Sequence, residues 1–154
     1  MLSIYNSLHI FAAVIWVGGM FFAYNFLRPA AADSLEPPLR LTLWVAVFQR
    51  FFPYVWASVI ILPLTGYLMI FQRWDSLGNA PIYVHAMNGL GVTMILIYMH
   101  VFFSPFKRLK NAVEAKNWPD GGKALMQIRL LVAINTIIGI LVVIVASAGR
   151  FYVF

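Results

Sequence analysis

The sequence predicts an all-α integral membrane protein, a four-transmembrane-helix bundle with both termini on the periplasmic side. Apolar residues make up 62% of the chain and charged residues 10%, against roughly 45–50% and 25% in soluble domains. The apolar residues gather into four runs, each close to the ~20 residues a helix needs to cross the hydrocarbon core. The basic residues fall almost wholly in the gaps on one side of those runs. A backbone exposed to lipid must satisfy its hydrogen bonds within its own segment, so each run is expected to be a helix.

The first run covers about 4–27 and begins without a basic lead or a cleavage site, so it reads as a retained span, not a signal peptide. The segment 28–41 carries Pro29, Pro37 and Pro38 with Asp33 and Glu36 and reads as a short proline-punctuated turn. Over about 39–50, Arg40, Gln49 and Arg50 are mixed with Leu, Trp and Val. That pattern predicts an amphipathic cytoplasmic extension running into the second span at about 51–71, with Pro53 and Pro63 placed to kink it. A polar loop, 72–81, leads to the third span at about 82–103. A second basic amphipathic extension, about 107–117, is expected to stop at Trp118-Pro119-Asp120-Gly121-Gly122 and to restart at Lys123. The fourth span covers about 130–148. Residues 1–154 fit one four-helix membrane domain.

Orientation follows from charge. Arg28, Arg40 and Arg50 flank the first gap, and Lys107, Arg108, Lys110, Lys116, Lys123 and Arg129 fill the third. Only Arg73 and Arg150 lie at the opposite span ends. The positive-inside rule puts the larger set in the cytoplasm and both termini outside. The net charge of +6 is therefore a topology signal, and no nucleic-acid partner is expected; the lipid bilayer is. The chain has no cysteine, which excludes disulfides, thiolate metal sites and thiol nucleophiles. Its five acids, Asp33, Glu36, Asp75, Glu114 and Asp120, all lie outside the spans, so no buried carboxylate relay is predicted.

Ionisable groups inside a span are costly and mark function. His9 sits a turn or two into the first span, and His85 a similar distance into the third, which runs in the same direction. Two imidazoles at matched depth on different helices are the arrangement that ligates a b-type haem from both faces, in a bundle core of the kind that commonly holds such sites. Ala12 and Ala13 lie one turn from His9, and Gly89 one turn from His85. These small residues would leave room for a macrocycle, although close helix packing uses the same residues. Arg73 and Arg150 suit haem propionates. Trp16, Tyr83 and Tyr98 are aromatic candidates for a substrate wall. His100 lies fifteen residues beyond His85, about 22 Å deeper, without a third histidine at its level. It is a secondary metal candidate with Met87, or a proton or quinone contact.

The strings LHIFAAVIWVGGMFF, HAM…YMH, PFKRLKNAVEAKNWPDGGKALMQIR and RLLVAINTIIGILVVIVASAGRF together resemble the CopD copper-resistance domain family of bacterial inner-membrane proteins over essentially the whole chain. A weaker resemblance, through His9, Trp16 and Gly18, is to HemJ-type four-span protoporphyrinogen oxidases, which bind haem b. Those relatives carry a lysine where Met87 follows His85. The CopD resemblance implies copper handling, for which imidazole and thioether are suitable copper(I) ligands. Met87, Met94 and Met99 share the third span with His85 and His100, with Met20 and Met69 nearby. Met94 and Met99 are five apart and do not share a helical face.

The leading expectation is therefore a haem b protein of the bacterial inner membrane, with His9 and His85 as axial ligands. It would transfer electrons to or from a quinone or small redox partner, as an oxidoreductase if it is an enzyme. Copper transport is the alternative, HemJ-like porphyrinogen oxidation the second. A homodimer is compatible with each.

Overall fold

The computed structural model describes residues 1–149 and 151. Helix α1 is Leu2–Phe22 and continues through a π-helical turn, Ala23–Leu27, into α2, Arg28–Ser34. Helix α3 is Pro37–Trp74, α4 is Ile82–Phe103, α5 is Pro105–Glu114 and α6 is Trp118–Ala148. Four helical stretches, Leu2–Ser34, Pro37–Trp74, Ile82–Glu114 and Trp118–Ala148, are long and apolar enough to cross a membrane. The predicted all-α membrane bundle is what the chain forms.

Two expectations about its loops are corrected. The segment after the first span is helical to Ser34, not a turn from Arg28. Pro29 falls in the first turn of α2, where its missing N–H matters least, and the π-helical turn before it takes up the change in register. The only break is at Leu35 and Glu36. Likewise Trp118-Pro119-Asp120-Gly121-Gly122 is not a linker but the first turn and a half of α6. The break falls just before it, where Lys116 takes a left-handed φ of 54°. Asn117 then caps the helix, its Oδ1 accepting from the Asp120 N–H at 3.3 Å. Gly121 is buried because Leu41 of α3 approaches closely: a Cβ there would stand 3.1 Å from Leu41 Cδ1.

Helix α1 packs along α3 and α4 along α6, while α6 also touches α1 and α3. Helix α5 folds back against α6, α3 and α4, burying Phe106, Leu109 and Ala112 and exposing Lys107, Arg108 and Lys110. Where the basic residues gather, the core is aromatic. Phe48 stacks on Phe52, and Tyr98 meets Trp16, Phe52 and Trp56 edge-on. Short polar links set the helix registers, as is usual where lipid supplies no drive between helices. Ser58 Oγ donates to the Ala12 carbonyl at 3.1 Å, Tyr98 Oη to the Phe52 carbonyl at 3.2 Å, and Asn135 Nδ2 to the Met94 carbonyl at 3.3 Å.

Candidate functional site

At the Met1 end the four long helices do not close on one another. They leave a cavity of about 790 Å³ lined from all four, within the ~300–1,000 Å³ of ordinary ligand sites. Trp16, buried against Tyr98, stands at its deep end and also borders a smaller apolar cavity of about 200 Å³ nearer the basic end.

His9 lines the large cavity, and its protonation pattern follows from its neighbours. Its Nδ1 lies 2.9 Å from Thr65 Oγ1. The Thr65 hydroxyl has one hydrogen, and that hydrogen goes back to the Ile61 carbonyl at 2.6 Å, one turn earlier on α3. With that hydrogen given to Ile61, Thr65 is an acceptor for His9 Nδ1–H, and in the neutral ring the Nε2 lone pair is then open. Gly66 makes the placement sterically workable. A Cβ at Gly66 would lie 3.3 Å from His9 Cε1, tighter than ordinary contact. In that neutral tautomer one nitrogen is fixed by a hydroxyl and the other is open to a ligand, the arrangement common to metal-binding histidines.

Three methionines share the lining with His9: Met69 from α3, and Met87 and Met94 from α4. Met87 and Met94 are seven residues apart, two helical turns, and so fall on one face. The polar part of the wall includes Tyr67, whose Oη donates to Asn88 Oδ1 at 3.0 Å and ties α3 to α4. Arg73 lines the mouth, its guanidinium 5.6 Å from the Trp74 ring. Where α6 closes the wall, Gly139 matters: a Cβ there would lie 2.9 Å from Val17 Cγ2 and 3.2 Å from Met94 Cε. Gly139→Leu is expected to cost about 1–3 kcal/mol by overpacking and to displace the Met94 thioether, read as a lowered melting temperature and weakened ligand binding together.

The other predicted residues scatter. Ala13 faces the cavity, but Ala12 is turned into the α1–α3 contact, where its carbonyl receives Ser58. His85 is half-buried and does not line the cavity. On α4 the cavity is lined by Tyr83, Val84, Met87, Asn88, Gly91 and Val92, and His85 stands at the border of that face, beside Val92 one heptad on, without being among the lining residues. Gly89 is exposed, with open space around it, and also lies off the cavity. His100 and Met99 are exposed at the far end of α4. Arg150 lies outside the described residues. Of the two histidines expected to bracket a haem, His9 lines this cavity and His85 is not among its lining residues. The physical reason is pairing: α4 is oriented by its contact with α6, not by α1. Among the described residues no group of three or more His, Asp or Glu side chains converges on a metal-sized site.

A family model, copper resistance protein D (CopD), matches residues 45–148. The chain belongs to the CopD family. The matched stretch holds α4, α5, α6 and all of α3 from Val45, and with them Thr65, Met69, Met87 and Met94; His9 precedes it. No curated protein and no solved structure matches the chain. With its four apolar spans, this CopD-family chain is a multi-pass membrane protein.

What sequence reasoning missed is the set Thr65, Gly66 and Asn88. The first pair signals itself only as a small polar and a small apolar residue in an otherwise bulky span. The Met87–Met94 spacing was legible as a single-face pattern.

Proposed function

We propose that this protein handles copper(I) in the membrane, taking the ion from the side on which the termini lie. The cavity at that end is where the ion would be held, by His9 Nε2 and the thioethers of Met69, Met87 and Met94. The observation that carries the reading is the His9–Thr65–Ile61 chain of hydrogen bonds, in which a neutral His9 donates from Nδ1 and keeps Nε2 open, at a wall that also carries three methionines. Soft thioether and imidazole donors favour Cu(I) over the harder divalent ions, and the family's name agrees with that preference.

The test is a Cu(I) titration of the detergent-purified protein against a chromophoric competitor. One tight site is expected in the wild type, weakened in Met87→Leu/Met94→Leu, with helicity unchanged in both. A sharp reduced α-band of a low-spin haem, lost in both His9→Ala and His85→Ala, would instead favour the bis-histidine haem b reading.

Orientation belongs to the same proposal. With Arg28, Arg40, Arg50 and the α5–α6 basic residues in the cytoplasm, the cavity opens to the periplasm of the bacterial inner membrane. Because the chain has no cysteine, single additions report sidedness cleanly. Ser3→Cys is expected to react with an impermeant maleimide on intact spheroplasts, and Lys110→Cys only after permeabilisation. The reverse pattern would invert the protein and the direction of copper entry.

A further inference from the structure

The basic end of the bundle carries a charge arrangement that copper handling does not use. Arg28 at the start of α2, Arg40 in the first turn of α3 and Arg129 on α6 are each half-buried. Helix α6 packs against α3 and against the π-helical turn that directly precedes Arg28, which brings the three helix segments together, and the charges of Arg28 and Arg40 act on the Arg129 guanidinium. No carboxylate answers them. Among the described residues the one ion pair is Lys123–Asp120, on the exposed start of α6. Arg28 lies over the Tyr24 ring at 4.5 Å, a contact that leaves its charge uncompensated. Arg129 Nε is buried without an acceptor. So is Nε1 of Trp44, which is 4% exposed and stands one turn from Arg40 on the same side of α3. Three like charges from three helices, with two buried N–H donors unanswered beside them, are costly unless an anion completes the set.

We infer that Arg28, Arg40 and Arg129 form a binding site for a phosphate-bearing anion, and that the headgroup of an anionic phospholipid occupies it. The position selects the lipid over a free ion. Arg28 directly follows the first apolar run of the sequence, 4–27, and Arg129 directly precedes the fourth, 130–148, so the guanidinium groups stand at the membrane edge where lipid phosphates lie. Guanidinium forks match phosphate oxygens in paired hydrogen bonds, and a bound headgroup would bridge α2, α3 and α6 across the Leu35–Glu36 break.

Thermal unfolding of the full-length protein in maltoside micelles doped with phosphatidylglycerol or phosphatidylcholine tests this. Phosphatidylglycerol is expected to raise the midpoint, phosphatidylcholine and millimolar inorganic phosphate to leave it unchanged. Native mass spectrometry should show the same preference as retained phosphatidylglycerol adducts. Arg129→Gln should weaken retention by roughly tenfold or more, the loss of a charged hydrogen-bond partner. If that variant does not fold, Arg28→Gln/Arg40→Gln carries the same expectation. Lys110→Gln, which removes an exposed charge on α5, should change nothing. Equal stabilisation by both lipids, a response to inorganic phosphate alone, or loss of the effect in Lys110→Gln to the same degree would overturn the site.

Discussion

Replacing His9 by alanine is expected to lower Cu(I) affinity by more than the ~10–100-fold that loss of an outer-shell partner costs, because it removes the nitrogen ligand itself. Stability should change little. The Thr65 hydroxyl keeps its donation to the Ile61 carbonyl, so no buried donor is orphaned by the change. Competition with a chromophoric Cu(I) chelator measures the affinity, and circular dichroism checks the fold. His85→Ala serves as the internal contrast. It lies off the cavity wall and should leave the affinity at the wild-type value, whereas a bis-histidine centre would make the two substitutions equally damaging. Met99→Ala, at an exposed position, should also be silent.

Thr65→Val is the second large effect, and it acts without touching the proposed ligands. Valine fills nearly the same space but cannot accept a hydrogen bond, so His9 Nδ1–H loses its fixed partner at 2.9 Å. The imidazole is then free to rotate or to exchange tautomers, and Nε2 is no longer held as the unprotonated nitrogen. Cu(I) affinity is expected to fall by about 10–100-fold. Thr65→Ser, which keeps the hydroxyl, should recover most of it. A Val variant indistinguishable from wild type would show that the hydrogen bond does not orient a ligand.

The fold was legible because membrane spans depend on composition over ~20 residues, and the four apolar runs are long and clean. The helix ends were less so. Pro29 and Pro119 read as breakers in the sequence, yet each sits in a first turn where proline is at home. The actual breaks come where local backbone geometry decides, at Leu35–Glu36 and at the left-handed Lys116. Of the site, His9 was readable as an ionisable group inside a span. Which face His85 presents was not, because depth along a helix says nothing about rotation around it. Val84 and Met87 face the cavity and His85 does not, and that phase is set by how α4 packs on α6. The grouping of Met69 with Met87 and Met94 depends on three-dimensional convergence of α3 and α4, which no spacing within one helix encodes. Thr65 was invisible for a related reason: its role rests on a hydrogen-bond count that needs the partner helix in place.

Cu K-edge X-ray absorption on the Cu(I)-loaded, detergent-solubilised protein addresses the central claim most directly. A mixed shell of imidazole nitrogen and thioether sulfur is predicted for the wild type. The imidazole contribution should vanish in His9→Ala, and the sulfur contribution should shrink in Met87→Leu/Met94→Leu. A shell without sulfur, or one unchanged by His9→Ala, would contradict the assignment of this cavity as the copper site.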